Sequence, residues 1–437
     1  MGRSIRQIDT DGHSVPQRTS ADRLAVDGGT PVRPVGRRWP VWPVPAPNAG
    51  PFLDTVLHGE RWAITSPAGR ELFERRFARM FADYVGTRHC VPVDHGSSAL
   101  VVALEALGLD HGDRVLVPAL TWVATASAVL RAGLVPVLTD VDPLTGCLAP
   151  EYLDFGAQPR AVLPVHWSCA MADIPAISAA AAAHGARVVE DAAQAHGAEW
   201  LGRPAGSLAL IGCFSMQQSK VLAAGEGGAV VTDDDRLLSV MQELRADSRR
   251  YTTAENAPQG LELEESATMM GANLCLSEFG AALLCAQLES LDAQHEIRNR
   301  NYAVLAGLIE GVPGVRLLRH RAEQTRISVY ELPIVFDPLP TGMSNSEVAE
   351  ALTAELGVRF YPPREPLSRS RLLRPWTKPT LGPLAERFVA ENRGRAFPNA
   401  EYLAGHAVLT HHSTLLGDER DMADIADAVA KVVFSRS

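Results

Sequence analysis

The feature that most limits how this chain folds is an alternation of two periods between residues 90 and 246. Short apolar, often β-branched runs fall at 90–93, 115–118, 135–138, 161–165, 187–190, 211–214 and 229–232. Most of the gaps carry a helical period, at 98–107, 123–131 and 174–184, and another follows the last run at 236–246. Apolar runs of this length suit strands buried on both faces. Strands alternating with helices predict an α/β fold, with a mainly parallel sheet covered on both sides. No G-x-G-x-x-G follows the first run, which disfavours a dinucleotide-binding fold. Open sheets of this kind bind ligands at strand ends, so the polar residues there are the ones to read for chemistry.

The most informative of these is Lys220. It stands between the runs at 211–214 and 229–232, ahead of the turn Gly225-Glu226-Gly227-Gly228. A lone lysine on a loop is ordinarily a surface residue. One held between two buried strands is partly desolvated, which disfavours the ammonium and lowers its pKa toward a nucleophilic amine. Such an amine can form a Schiff base with a carbonyl cofactor such as pyridoxal 5'-phosphate, PLP.

A PLP site has further needs, and the chain offers a residue for each. The run Val188-Val189-Glu190-Asp191 is a strand ending in acid, and Asp191 is the partner expected beside the pyridine nitrogen. Gln194 lies three residues on, in reach of a ring hydroxyl, with His196 close by. Asp94-His95-Gly96-Ser97-Ser98 links a strand to a helix. A turn opening a helix presents backbone N–H groups and hydroxyls to a phosphate, although Ser-rich helix starts often serve only as caps. Trp122, just after the run at 115–118, is the candidate to stack on the ring.

Several motifs together carry a family resemblance: G-G-T-P-V-R near the N-terminus, E-D-A-A-Q-A-H-G, S-M-Q-Q-S-K with G-E-G-G, and G-A-N-L-C-L-S-E-F. The chain resembles the DegT/DnrJ/EryC1/StrS aminotransferase family over nearly everything after about Arg23. The resemblance implies the PLP-dependent transferase fold type I, aspartate aminotransferase-like, and amination of a keto-sugar or keto-cyclitol. Finer motifs are similar to those of glutamine-dependent 2-deoxy-scyllo-inosose aminotransferases: R-W-A-I at 61–64, L-R-A-D-S-R at 244–249, N-L-C-L-S-E-F at 273–279, P-W-T-K at 375–378 and His411-His412.

By that resemblance Lys220 carries the cofactor and moves the proton, and Ser215, Gly96 and Ser97 bind the phosphate. Asn273 matches an asparagine that reaches the neighbouring subunit's phosphate, which implies a homodimer with shared active sites. Some relatives carry a histidine at the lysine position and catalyse dehydration; Lys220 favours transamination. Asp94 and His95 depart from the small hydroxyl residues usual there, and Asp94 would repel a phosphate unless turned away. Trp167-Ser168-Cys169 and Ser66-Pro67-Ala68-Gly69 also depart, both where the substrate is expected. His166, His411 and His412 are candidates to bind cyclitol hydroxyls, although a lone histidine is more often structural.

The 437 residues suit a large domain plus a smaller one. The expected division is an extension over 1–22, an N-terminal arm and large PLP-binding domain over 23–300, and an α+β domain over 301–437. The net charge of −10 argues against nucleic-acid or anionic-membrane partners. Six cysteines without C-x-x-C spacing read as reduced thiols and not as a metal site. No apolar run approaches the roughly 20 residues of a membrane span, and no apolar signal core opens the chain, so a cytoplasmic protein is expected. The proline-rich stretch 39–45 cannot be a helix, and reads as an extended arm whose Trp39 and Trp42 pack on their own subunit or a partner. A long loop is expected at 249–268, helices at 276–291 and 297–308, a strand at 331–336 and helices at 345–356 and 422–434. Three readings stay open here: a glutamine-dependent keto-cyclitol aminotransferase, an aminotransferase of another keto-sugar or C7-cyclitol ketone, and a PLP-fold binding partner without turnover.

Overall fold

In the computed structural model, residues 23–65, 72–252 and 262–435 are described. The extension at 1–22 and the Ser66–Gly69 segment therefore lie outside the described residues. Helices α1 (Ala49–His58) and α2 (Phe73–Val85) come first. Then follow β1 (His89–Val93), α3 (Gly96–Ala106), β2 (Arg114–Pro118), α4 (Val123–Arg131), β3 (Val135–Thr139), β4 (Ala161–Val162), α5 (Ile174–Ala183) and β5 (Arg187–Asp191). A small hairpin, β6 (Glu199–Trp200) and β7 (Arg203–Pro204), precedes β8 (Ile211–Ser215) and β9 (Gly228–Thr232). Helix α6 (Asp235–Arg245) and strands β10 (Arg249–Tyr251) and β11 (Leu263–Glu265) lead into α7 (Glu278–Ile309). The C-terminal part holds β12 (Val315–Leu317), β13 (Gln324–Arg326), β14 (Glu331–Phe336), α8 (Asn345–Leu356), β15 (Phe360–Tyr361), α9 (Gly382–Asn392), α10 (Pro398–His406), β16 (Ala407–His411) and α11 (Glu419–Phe434).

The central sheet has seven strands in the order β1-β9-β8-β5-β4-β2-β3. Strands β3, β2, β4, β5 and β8 are parallel neighbours. Strand β9 alone runs the other way, against both β8 and β1. The reason lies in the connection: residues 216–227 contain no helix to carry the chain back across the sheet, so β9 returns antiparallel. Helix α3 is buried along nearly its whole length, with no polar face, as expected of a helix enclosed between the sheet and other helices.

Three expectations change. The helices expected at 276–291 and 297–308 are one 32-residue helix, α7. The polar run 292–296 that marked a break contains no glycine or proline, and its His295 is buried within the helix's packed face. A boundary near residue 300 thus falls inside a helix of about 48 Å that serves both parts of the molecule. The expected loop at 249–268 contains the β10–β11 ladder, with 253–261 outside the described residues. Helices α1, α9 and α10 and strands β6, β7, β12, β13, β15 and β16 had not been expected.

The arm, grouped by sequence with the large domain, makes its anchoring contacts with the C-terminal part. The buried Glu355 carboxylate of α8 accepts from Ala25 N (2.7 Å) and Val32 N (2.9 Å) and pairs with Lys431 (2.9 Å). Arg33 is buried between Asp421 and Asp424 of α11, at 2.8 Å from each, and its guanidinium lies 3.7 Å from the Trp39 ring centroid. Trp39 donates to Leu356 O (2.8 Å). Removing Arg33 would leave the buried Asp421 and Asp424 with only the more exposed Arg37, 2.8 Å from Asp421 and 3.8 Å from Asp424. Arg33→Ala is therefore predicted to lose about 3 kcal/mol or more of stability. Arg369→Ala, which breaks an exposed pair with Glu401, should leave the unfolding midpoint nearly unchanged. Urea unfolding of the two variants checks this.

Candidate active site

The C-terminal ends of the parallel strands, with the loop after β8, wall a cavity of about 460 Å³. Lys220, Asp191, Gln194, Ser215, Gly96, Ser97 and Trp122 all line it. Residues separated by more than 120 positions meet there because each follows or ends a neighbouring strand.

Asp191 ends β5 and is 3 % exposed. Its Oδ2 accepts from Thr125 Oγ1 (3.0 Å) and its Oδ1 from Ala193 N (3.2 Å). Burial pushes its carboxyl pKa up, and those two donors pull it back. A buried carboxylate with neutral donors only, open to a cavity, fits the protonated nitrogen of a pyridine ring, which would hold it ionised. Its neighbour Glu190 points elsewhere: it accepts from Gly206 N (2.5 Å) and Leu208 N (3.1 Å) and meets His166 (2.7 Å).

Helix α3 begins at Gly96, and its N-cap residue His95 makes no side-chain capping bond. Its first-turn N–H groups are thus free of a side-chain cap at the cavity wall. A Cβ added to Gly96 would come within 2.4 Å of Ser215 Cβ. One added to Gly228, which pairs with both Val93 and Ser215, would come within 2.5 Å of His95 O. These glycines let the helix start and two strands converge on one point, a geometry suited to an anion. Asp94 does not line the cavity; His95 does, with Nδ1 2.9 Å from Glu226 Oε2. Asp94 is thus kept out of the lining, while the Glu226 carboxylate, which does line it, is engaged by His95.

Lys220 is half-buried. Withdrawal from water lowers its pKa to about 8, while the charges of Glu331 and Asp191 pull it back up. Its Nζ lies 3.9 Å from the Tyr330 ring centroid. The loop is closed on itself by Met216 N to Gly227 O, Gln218 N to Gly225 O and Lys220 N to Gln217 O, each 2.8 Å. Ser219 Oγ donates to Gln217 Oε1 (2.6 Å) and lies 3.1 Å from Tyr330 Oη.

The structure gives the histidines contacts that the sequence did not announce, and His411 also lines an outer groove adjoining the cavity. His411 and His412 each bring Nε2 to 3.2 Å from the Ser219 carbonyl, the peptide that leads into Lys220. Burial lowers the pKa of both rings, that of His411 to about 4, so they donate as neutral imidazoles. Trp42 packs edge-on against His412 at 4.5 Å and donates to Gln218 O (2.7 Å). Both arm tryptophans thus pack within their own subunit, and Trp42 helps fix the lysine loop. His166 is buried between Glu190 and Ala172 N (3.0 Å), outside the cavity lining. The reason is strand-like alternation: Val165 and Trp167 face the cavity, and His166 faces away. His196 is buried behind Phe214, 5.2 Å between ring centroids, also outside the lining.

Gln194 accepts from Ser168 N (2.7 Å), which leaves its amide NH2 as the group available to a ring hydroxyl. Trp122 stands 45 % exposed at the rim, with the Arg364 guanidinium 5.0 Å from its ring centroid. Of Trp167-Ser168-Cys169 only Trp167 lines the cavity. Asn273 is exposed and lies outside the cavity of its own protomer. Sequence reasoning missed Thr125, Tyr330, Glu331, Tyr361 and Arg364. Thr125 sits one helical turn from Thr121, a spacing that could have revealed it. The other four come from the C-terminal part, and no local motif marks them.

Among the described residues no group of three or more His, Cys, Asp or Glu is placed to hold a metal, and no helix is long and apolar enough to cross a membrane.

Comparison with known proteins gives this geometry a context. The chain is 45 % identical over 419 residues to the L-glutamine:2-deoxy-scyllo-inosose aminotransferase of Streptoalloteichus tenebrarius, covering 94 % of this chain and 97 % of the relative. It is 40 % identical over 414 residues to the L-glutamine:scyllo-inosose aminotransferase of Streptomyces griseus, covering 94 % and 97 %. Among solved structures, 3-amino-5-hydroxybenzoic acid synthase superposes with a TM-score of 0.75 at 28 % identity, covering 91 % of this chain and 99 % of that one. DesI, solved in the presence of its TDP-sugar product, superposes with the same score at 26 % identity, covering 94 % and 96 %. These neighbours agree with an α/β fold whose central sheet is mainly parallel. The family model matches residues 61–423, and the chain belongs to the DegT/DnrJ/EryC1/StrS aminotransferase family.

Proposed function

We propose that this protein is a PLP-dependent aminotransferase. It moves an amino group from L-glutamine to a keto-cyclitol, 2-deoxy-scyllo-inosose or a close relative, in aminoglycoside biosynthesis. The observation that carries the reading is the meeting of Lys220, Asp191 and the α3 N-terminus in one cavity. The full-length likeness to 2-deoxy-scyllo-inosose aminotransferases supports the choice of acceptor and donor. The lower identity to the scyllo-inosose enzyme favours the 2-deoxy ketone.

PLP, when bound, supplies an electron sink that lets a proton leave the carbon bearing the amino group. The residues here divide the remaining work. The N–H groups of Gly96 and Ser97 and the Ser215 hydroxyl would hold its phosphate. Asp191, oriented by Thr125 and Ala193 N, would hold a proton on the ring nitrogen. Gln194 would donate to the ring hydroxyl, and the Trp122 face would cover the ring. Lys220, with its pKa lowered to about 8, can act as a neutral amine toward the cofactor and carry a proton between donor and cofactor carbons. The two imidazoles on the Ser219 carbonyl keep that amine in register.

The working unit is proposed to be a homodimer with shared sites, in which Asn273, exposed here, serves the partner's phosphate. The protein is proposed to act in the cytoplasm: all six cysteines are free and five of them are buried, as expected of thiols kept reduced.

Four outcomes are predicted. Lys220→Ala should abolish glutamine-dependent amination of 2-deoxy-scyllo-inosose, and Asp191→Asn should lower it by roughly 100-fold or more while PLP stays bound; a coupled assay and the cofactor spectrum check both. Capture of PLP by the cofactor-free protein should speed up as pH rises toward 8 and level off above it. The sign follows from Lys220, because a lowered pKa makes the reactive neutral amine the major form only above about 8. Stopped-flow absorbance from pH 6 to 9.5 reads it. Mixed Lys220→Ala and Asn273→Ala subunits should regain activity, because one site of each heterodimer carries neither defect. No recovery, with subunit exchange demonstrated, would mean that each site is built from one chain.

A further inference from the structure

Glu331 is a carboxylate in a place that needs a reason. It opens β14 and lines both the lysine cavity and an adjoining outer groove of about 690 Å³. The groove shares Trp122, Tyr330, Tyr361 and Arg364 with the cavity. Glu331 Oε1 accepts from Tyr361 Oη (2.8 Å). Among the described residues no lysine or arginine forms an ion pair with it. The Tyr361 ring in turn lies under the Arg359 guanidinium, 5.2 Å from its centroid. The carboxylate is therefore positioned by neutral hydroxyl donors, Tyr361 first and Ser168 beside it, feels the charges of Lys220 and Arg364, and keeps acceptor capacity toward the cavity.

A transaminase site must admit two molecules of opposite character in turn. The amino donor carries an α-carboxylate, which Glu331 repels. The acceptor is an uncharged ring with several hydroxyls, and each hydroxyl is a hydrogen-bond donor that a carboxylate can accept. A group that hinders the first substrate is useful only if it helps the second. We infer that Glu331, positioned by Tyr361, accepts a hydrogen bond from a ring hydroxyl of the keto-cyclitol and so distinguishes the polyol acceptor from the carboxylate-bearing donor. This rests on the reading of the site as a keto-cyclitol aminotransferase.

The experiment separates the two half-reactions by following the cofactor spectrum in single turnovers. Loss of a charge-assisted hydrogen bond predicts that Glu331→Gln lowers kcat/KM for 2-deoxy-scyllo-inosose by roughly 10- to 100-fold. The glutamine half-reaction should gain, because the repulsion is removed. Tyr361→Phe should shift the acceptor in the same direction by a smaller factor. Acceptors lacking single hydroxyls identify the contact. One of them should lose a similar factor with the native enzyme and show almost no further loss with Glu331→Gln. Calorimetric binding of 2-deoxy-scyllo-inosose to the cofactor-loaded protein, without donor, should weaken in Glu331→Gln in parallel. If both half-reactions fall together, or if the deoxy penalty persists undiminished in the variant, Glu331 is structural and the inference is wrong. If the native protein aminates no keto-cyclitol, the proposed function fails instead. The inference is then decided by calorimetry: equal binding of the polyol by native and variant protein overturns it.

Discussion

An ammonium flanked by carboxylates resists losing its proton, and at Lys220 both Glu331 and Asp191 act in that direction. Withdrawal from water outweighs them, and it can do so only while the loop stays closed. Four backbone hydrogen bonds, Ala224 N to Met216 O (3.0 Å) among them, shut residues 216–227 on themselves, and Tyr330 covers the amine. Two imidazoles and an indole then hold the carbonyls of Gln218 and Ser219 from outside. Each of these restraints is modest by itself. Together they bind the lysine to the N-terminal arm, the C-terminal turn and β14 at once.

The sheet does the complementary task. Asp191, Ser215 and Gly96 meet because strands β5, β8 and β1 all end at one edge, and β9 between β8 and β1 presents Gly228 where any side chain would collide with His95. Antiparallel β9 is also what returns the lysine loop to that edge. A helical crossover after β8 would have carried the chain over one face of the sheet.

What could be read in the sequence was what chemistry concentrates locally. The strand ending in Glu190-Asp191, the glycine-rich turn after Lys220 and the Gly96-Ser97 helix start each fit within a few residues, and all the cavity residues they supplied line it. The histidines were harder because side-chain direction, not position, decides their role. His166 lies between two cavity-facing neighbours and points the other way. His411 and His412 reach the lysine loop's backbone, a contact across 192 and 193 positions that no spacing announces. Tyr330, Glu331 and Tyr361 were illegible for the same reason: they belong to a part of the chain brought to the site only by tertiary packing. The single course of α7 was obscured by a polar stretch that a helix with two packing partners tolerates.

The arm carries a consequence for where turnover can be tuned. The family model begins at residue 61, whereas Trp42, Trp39 and Arg33 lie ahead of it. A leader of this kind is free to drift wherever it merely decorates a surface. Here it is a strap from α11 to the backbone beside the reactive amine, so a change in it is felt at the chemistry without altering any residue that touches a substrate. A comparison confined to residues 61–423 would miss the source of such a change.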